Sequence, residues 1–362
     1  MDFGLSEDQL LLERTVRGFL AEQVPIERVR ALRERDCPND RALWMALAEL
    51  GVTGIGVPEA QGGSGLGLLD AALVSQALGH AATPAPFLSS AVMAPVALVA
   101  VGGSEAEAWL AAIGAGEQVF GVAVTERFSV REDAGVRLGS GRLGGKSMMA
   151  IDALGADRIL VALDAQRLAV VDASAPGLAI ERLRTVDATR CTAELCFDDV
   201  TPDAVYEDAG AAIARMLDAG RIALAADVLG CCESMVERAV AYAKERKQFD
   251  RVIGSFQAVK HMCAEMIAEL EPARSLLWYA AHAFDAIPEE APPMACHVLA
   301  HVSEIAREIA SVSTQVHGGI GWTDEQNLHF WFKRIANARN LLGGPELLRD
   351  RAARLQGFAP AA

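Results

Sequence analysis

One segment near the middle of the C-terminal half carries residues suited to binding a phosphorylated cofactor. Residues 245–257 lie between two stretches of helical periodicity and begin with a run of cations. A guanidinium and exposed amide donors beside an aromatic ring suit a pyrophosphate and an adenine. The same residues are also typical of a plain helix connection, in which Ser255 would cap the second helix. The segment contains Arg246, Gln248, Phe249 and Gln257.

A second segment, residues 315–322, is a glycine-rich turn at the end of another predicted helix. Glycine leaves backbone amides open, and amides at a helix end favour an anion. The segment contains Gln315, Gly318 and Gly319. Taken alone, it is weak evidence for a ligand.

Two other motifs with chemical potential have ordinary structural interpretations. Gly139, Gly141 and Gly144 form a literal GxGxxG, but residues 146–151 read as a strand, whereas a dinucleotide fold needs a helix there. We therefore predict a hairpin turn. His297 and His301 lie four apart on a predicted helix, yet no glutamate follows His297 and no third ligand is suitably spaced, so we expect no metal site.

The cysteines indicate thiols rather than a disulfide framework. Their number is odd, and their spacing contains no CxxC pair. We predict that they are core thiols, as is common in reducing compartments. The seven are Cys37, Cys191, Cys196, Cys231, Cys232, Cys263 and Cys296.

Composition restricts the class of protein. The chain has 362 residues, 52% of them hydrophobic, and a net charge of -15. Such acidity argues against binding nucleic acid, because a phosphate backbone is recognised by a basic surface. No apolar run reaches the roughly 20 residues of a membrane span, and the first residues carry acids where a signal peptide is basic. We expect a cytoplasmic globular protein.

The elements that must position these residues fall into three regions. We predict a helical domain over residues 1–117, a β domain over 118–208 and a second helical domain over 209–362. Short β-branched runs separated by Gly and Asp indicate strands at residues 119–124, 158–163, 168–171 and 191–197. Long amphipathic stretches at residues 211–247, 255–284 and 292–316 favour an antiparallel helix bundle.

Read together, the motifs resemble the acyl-CoA dehydrogenase family, including its actinobacterial steroid or fatty acyl-CoA dehydrogenase subunits. The resemblance covers nearly the whole chain and rests on MDFGLSEDQ, LGVTGIGVPEAQGGSG, RKQFDR with IGSFQA, and QVHGGIGWT. It implies an α+β multidomain fold with a helical N-terminal domain, a middle β-barrel and a C-terminal four-helix bundle. It also implies FAD, an acyl-CoA substrate and electron-transfer flavoprotein as oxidant.

The resemblance assigns the FAD contacts to specific positions. The RKQF-type residues would reach the FAD of a neighbouring subunit, and the glycine-rich turn would lie near its ADP part, so the protein would be a dimer or tetramer. Around the flavin ring, the family's Trp and Thr positions correspond to Met148 and Ala150. Both keep an apolar face there, and one hydroxyl donor is lost. The implied FAD residues are Arg246, Gln248, Phe249, Gln257, Gln315, Gly318, Gly319, Thr125, Met148 and Ala150.

The resemblance also shows what is missing. The family reaction needs a carboxylate that removes the weakly acidic α-proton of a thioester. Most members hold this Glu at the position of Leu342, and isovaleryl-CoA dehydrogenase-like members at that of Gly220. Neither residue can accept a proton, so the catalytic base is unknown. Asp218 and Arg221 correspond to CoA-contacting residues, and Asp218 is a weak candidate for the base.

Two interpretations stay open at this point. In the first, the chain is an active acyl-CoA dehydrogenase with a relocated base, for which the other nearby carboxylates are Asp227, Asp324, Glu325 and Glu346. In the second, it is a partner subunit without a base that completes the FAD site of a sister chain. Non-catalytic chains of actinobacterial heterotetrameric dehydrogenases resemble it in the LLGGP ending.

Overall fold

A computed structural model describes residues 4–35, 37, 39–129 and 132–360 of the chain. Its first part is helical, as predicted. Ser6 and Gln9 form a capping box at the start of α1, and the Asp40 side chain accepts the Ala42 amide at the start of α3. A π-helical turn, Phe87–Met93, leads into α5. The helices are α1 Glu7–Gln23, α2 Ile26–Arg33, α3 Arg41–Glu49, α4 Leu68–His80, α5 Ala94–Val101 and α6 Ser104–Gly114.

The connection before α4 contains a glycine that has a steric reason. A Cβ at Gly63 would lie 2.1 Å from the Val57 carbonyl oxygen, which no side chain tolerates. The chain therefore folds back on itself here because residue 63 has no side chain.

The middle part is a mixed sheet, and the predicted strands and hairpin are confirmed. Gly139 pairs with Arg142 across the turn, which excludes a dinucleotide loop there. The strands are β1 Phe120–Ala123, β2 Gly135–Gly139, β3 Arg142–Ile151, β4 Arg158–Ala162, β5 Leu168–Asp172, β6 Leu178–Arg182, β7 Thr192–Val200 and β8 Ala204–Tyr206.

The closed barrel that we expected is not formed by the described strands. The pairing path runs β6-β7-β3-β1-β4-β5-β8, with β2 beside β3, and its two ends do not pair with each other. β8 is only three residues long and leads directly into the next helix, so it offers little edge for closure. The fold class is otherwise as predicted.

The last part is again helical and contains the three long predicted helices. The helices are α7 Gly210–Glu245, α8 Gln257–Ala286, α9 Ala291–His317, α10 His329–Leu341 and α11 Pro345–Leu355, with a two-stranded hairpin of β9 Lys247–Gln248 and β10 Arg251–Val252 between α7 and α8. Ser255 is not a cap: it lies in a short turn and donates to the Val252 carbonyl, while Phe256 precedes α8.

Helices α4 and α7 pack closely enough to join the two helical parts. A Cβ at Gly79 would lie 1.9 Å from the Asp227 carbonyl oxygen. A Cβ at Gly230 would lie 1.9 Å from the Gln76 carbonyl oxygen. The two backbones meet because both positions are glycine. The N-terminal helices therefore contact the centre of α7.

A buried charge cluster fastens the sheet to α7 and α10. The Arg334 guanidinium binds both Asp227 carboxylate oxygens, at 2.9 and 2.6 Å, and Arg190 binds Asp227 at 2.7 Å. These two arginines hold the pKa of Asp227 below its ordinary value against the effect of burial. Nearby, Asp152 accepts the Ser89 hydroxyl at 2.8 Å.

The remaining structural expectations have mixed outcomes. Of the seven cysteines, Cys191, Cys231, Cys232 and Cys296 are buried as predicted, whereas Cys37, Cys196 and Cys263 are partly exposed. His297 lies 3.1 Å from the Gln356 side chain. Within the described residues, no group of three or more His, Cys, Asp or Glu side chains could hold a metal ion, and no helix is long and apolar enough to cross a bilayer.

Candidate active site

The hairpin between α7 and α8 presents its side chains outward. Arg246, Gln248 and Phe249 are all exposed, and Phe249 keeps 86% of its surface. Phe249 has a left-handed φ of 54°, and its ring meets the Phe256 ring edge-on, with the centroids 6.1 Å apart. Arg251 lies over the ring of Phe256 at 4.0 Å, so the hairpin rests on that aromatic base. An aromatic ring left this open is typical of a surface that contacts another molecule.

The glycine-rich turn lies at the same end of the helical bundle. The rings of Tyr242 on α7 and His317 on α9 stack at 4.6 Å, which joins the ends of the two helices. Gln315, Gly318 and Gly319 are exposed beside this stack. The structure therefore brings together the two segments that the sequence analysis singled out.

We call this surface the cofactor rim. Within the described residues, the first amides of α8 have no side-chain cap, and Gln257 is exposed at that helix start. Open amides and a cation on one surface favour an anionic group. The cofactor rim consists of Arg246, Gln248, Phe249, Gln257, Gln315, Gly318 and Gly319.

The predicted flavin-ring residues lie where β1 and β3 meet, and a bulge changes their arrangement. Glu126 accepts the Ser147 hydroxyl at 2.8 Å and the Met148 amide at 2.7 Å. Met149 then takes a φ of 57°, and β3 slips by one residue against β7. Met148 and Ala150 consequently do not share a face, contrary to the expectation: Ala150 is fully buried in the core of the sheet, whereas Met148 is partly exposed.

Thr125 is nearly buried at the same place. Its hydroxyl lies 3.4 Å from the Met149 carbonyl oxygen, and 6% of the residue is exposed. Glu126 was missed as a structural residue by sequence reasoning, because its partners come from a strand more than 20 residues later. A flavin role for Thr125, Met148 and Ala150 remains a prediction.

The two family positions for the base converge in space. A Cβ at Gly220 would lie 3.0 Å from Leu342 Cδ1 and 2.9 Å from Met93 Sδ. Met93 and Leu342 are completely buried. We call Met93, Gly220 and Leu342 the apolar plug. No member of the apolar plug can accept a proton.

Asp218 and Arg221 flank the apolar plug and are bound to each other. Arg221 Nη1 donates to Asp218 Oδ1 at 2.9 Å, and its Nε donates to the Leu342 carbonyl at 3.3 Å. Burial raises the pKa of Asp218, although Arg221 opposes this shift. The Asp218 carboxylate is thus already paired with Arg221, and Arg221 also binds the backbone of residue 342.

Of the other carboxylates considered as relocated bases, Asp227, Asp324 and Glu346 form ion pairs with arginines. Among the described residues, Glu325 is the exception. Asp227 is held in the buried charge cluster. Asp324 binds Arg30 and Arg33, and these hydrogen bonds lower its pKa to about 2. Glu346 accepts from Arg339 at 3.1 Å. A base needs an unencumbered carboxylate of raised pKa, which these three do not offer.

Met93 is the functional residue that the sequence analysis missed. It ends the π-helical turn, and a π turn shifts side chains from their α-helical positions. Its contact with Gly220 joins residues 127 positions apart, so no local pattern announces it. The one available signal was that residue 220 is a glycine. Because interiors are closely packed, a neighbouring side chain had to occupy the space beside it.

Comparisons with known proteins agree with this architecture. The profile for the acyl-CoA dehydrogenase N-terminal domain matches residues 6–117, and that for the acyl-CoA dehydrogenase C-terminal domain matches residues 209–356. The chain is 32% identical over 345 residues to the acyl-CoA dehydrogenase IpdE2 of Mycobacterium tuberculosis, covering 95% of this chain and 96% of the relative.

Solved structures are also similar to this chain. The ChsE4-ChsE5 complex from Mycobacterium tuberculosis matches with a TM-score of 0.90 and 26% identity. The match covers 100% of this chain and 100% of the matched chain. A Tcur3481-Tcur3483 steroid ACAD variant matches with a TM-score of 0.86 and 28% identity, covering 98% of this chain and 99% of that chain.

Proposed function

The chain belongs to the acyl-CoA dehydrogenase family, and from this premise we propose that it is the base-less subunit of a heteromeric, FAD-dependent acyl-CoA dehydrogenase. The observation that carries the proposal is the apolar plug. Both positions at which the family places a base are occupied by residues that cannot take a proton, and the space between them is filled by Met93.

Members of this family bind FAD, which confirms the cofactor prediction at the level of the family. The cofactor rim fits that group: it offers a guanidinium, exposed amides and an open aromatic ring. FAD held there would supply the hydride acceptor for oxidation of the acyl chain. Because the rim residues point away from their own subunit, we propose that they hold the FAD that a neighbouring chain uses.

The chain's own residues would then bind and position rather than transfer protons. Arg246 would neutralise the pyrophosphate, and the first amides of α8 would donate to it. The residues that flank the apolar plug, Asp218 and Arg221, are proposed CoA contacts. Proton removal from the substrate would fall to a glutamate of the sister chain.

The alternative proposal is an active homo-oligomer with Asp218 as base. Its support is the burial that raises the pKa of this carboxyl, as a general base requires. Against it stands the 2.9 Å ion pair with Arg221, which stabilises the charged form and restrains the carboxylate. We therefore favour the partner subunit.

The same comparisons support a second chain as partner. The similar ChsE4-ChsE5 structure is a complex, and the similar Tcur3481-Tcur3483 structure is named a steroid ACAD. We propose a second acyl-CoA dehydrogenase chain as partner, an acyl-CoA with a steroid or fatty acyl group as substrate, and electron-transfer flavoprotein as oxidant.

The test compares the chain alone with the chain co-expressed with an acyl-CoA dehydrogenase encoded beside its gene. We expect the complex to retain FAD and to bleach its flavin absorbance with one of a panel of acyl-CoAs. The chain alone should do so at least about 10²-fold more slowly, since general base catalysis contributes that much.

Two variants sharpen the result. Replacing the sister chain's glutamate by glutamine should abolish flavin reduction, whereas Asp218→Asn in this chain should leave a rate above about one tenth. Rapid turnover by the pure homo-oligomer, lost in Asp218→Asn, would overturn the partner proposal and support the relocated base.

A further inference from the structure

Two cysteines from different parts of the chain lie in direct contact. Cys37, in the connection between α2 and α3, and Cys191, directly before β7, have their Sγ atoms 2.9 Å apart. They are separated by 154 positions in the sequence. A disulfide bond is about 2.05 Å long, so the two sulfurs need to approach by less than about 1 Å.

The surroundings give the two thiols different roles. Cys37 is partly exposed and can meet a small oxidant, whereas Cys191 keeps only 2% of its surface. The Cys191 thiol donating to Cys37 lowers the pKa of Cys37, and the Arg182 cation acts in the same direction. Asp152 and burial oppose this shift. Cys37 is the better nucleophile, since the thiolate is the reactive form.

We propose that Cys37 and Cys191 form a redox-responsive pair that closes into a disulfide when the protein meets hydrogen peroxide. The Cys37 thiolate attacks the peroxide oxygen, breaks the O–O bond and becomes a sulfenic acid, with release of one water. The Cys191 sulfur then attacks the Cys37 sulfur and displaces a second water. Two thiols are oxidised, and the peroxide is reduced to two waters.

The cross-link would tie the N-terminal helices to the sheet beside the buried charge cluster. The Cys191 carbonyl accepts the Asp152 amide at 2.8 Å, and the next residue back is Arg190, which binds Asp227 on α7. On the other side, Asp40 caps α3 and binds Arg28 at 2.8 Å. Oxidation would therefore fix one helical layer to the junction of all three parts of the chain.

The experiment uses the purified full chain, exposed to hydrogen peroxide, then blocked with N-ethylmaleimide and digested without reduction. We expect a peptide that joins Cys37 to Cys191 and a protein lighter by two hydrogen atoms. The oxidised protein should melt roughly 5–10 °C higher than the same sample after reduction with dithiothreitol, since the cross-link closes a very long loop.

Matched variants identify the pair. Cys37→Ser should remove both the cross-linked peptide and the melting difference, whereas Cys263→Ser, a control at another partly exposed cysteine, should keep both. Stable sulfinic acid at Cys37 with a free Cys191 would overturn the proposal, as would equal melting of oxidised and reduced wild-type protein. The wild-type comparison decides the matter even where a variant folds poorly.

Discussion

The cofactor rim and the apolar plug lie in the same helical bundle and have opposite character. The rim holds a cation, amides and an aromatic ring on an open surface, as the proposed FAD site requires, with Phe249 86% exposed. The plug contains no carboxylate that could take a proton. Two fully buried side chains, Met93 and Leu342, fill the space beside Gly220. One region retains binding chemistry, and the other retains only packing.

This difference is what the proposed division of roles between two chains requires. Residues that face outward can serve a neighbour's cofactor whether or not their own interior is catalytic. A buried position left without its carboxylate is instead refilled, because interiors are packed to high density. A partner subunit needs the first property and not the second.

The largest expected effect comes from returning a carboxylate to the plug. Gly220→Glu should lower the free energy of unfolding by about 2–6 kcal/mol, from overpacking against Met93 and Leu342 and from a buried polar group without a partner. Denaturant unfolding at neutral pH measures it, with Gly220→Ala as the control for space alone. A stability within about 0.5 kcal/mol of wild type would show that the plug is not tightly packed.

Asp152 is a buried carboxylate whose pH dependence tests whether it has a structural or a catalytic role. Burial raises its pKa to about 6, although Arg190, Arg334 and the Ser89 hydroxyl oppose the shift. The folded protein therefore keeps a proton that the unfolded chain, with a pKa near 3.9, has lost. The contribution of Asp152 to the free energy of unfolding is fully present below about pH 4. It is lost as the pH rises through about 6, and the loss is about 3 kcal/mol in all.

Asp152→Asn should remove that loss. Asn tolerates the left-handed φ of 51° at this position and can still accept the serine hydroxyl. We expect the variant to gain stability relative to wild type between pH 4 and 6, measured by unfolding at several pH values. A parallel pH profile for the two proteins would contradict the assignment, and a loss of flavin reduction in the complex would point to a catalytic role.

Removing one cation tests the rim. Arg246→Ala should weaken FAD retention by about 1.5–3 kcal/mol, or roughly 10–150-fold in Kd, since a charge-assisted contact to a pyrophosphate is lost. The FAD-to-chain ratio after gel filtration measures this. Arg307→Ala, at an exposed ion pair on α9, is the matched control and should leave the ratio unchanged. Equal FAD occupancy in both variants would count against the rim as a cofactor site.

The smallest expected effect is on the fold of the rim itself. Phe249→Ala should change the free energy of unfolding of the isolated chain by less than about 0.5 kcal/mol, because the ring is almost fully exposed. In the complex, the same variant should lose FAD or partner binding, measured by gel filtration. A large loss of stability in the isolated chain would mean that the ring packs within its own subunit.

Local sequence patterns predicted most of the secondary structure. The long apolar periodicity of residues 211–247 and the hairpin at Gly139 both appear as expected. Errors arose where a competing local bond or a distant partner decides the outcome. Ser255 looked like a helix cap but bonds within its own turn, and Ala150 lost its shared face with Met148 because Glu126 stabilises a bulge. Closure of the sheet likewise depends on two edges that no local pattern compares.

The residues of the candidate site remain a prediction from the sequence, and their arrangement could not be predicted from it. The sequence by itself determined that Gly220 and Leu342 cannot act as bases and that Arg246 and Gln315 carry groups able to bind a ligand, because residue type fixes what chemistry is available. Only the tertiary structure decided that the two empty base positions meet, that Met93 fills the gap, and that Cys37 touches Cys191. Those contacts join residues more than a hundred positions apart, and the packing of helices and sheet, rather than any spacing along the chain, brings them together.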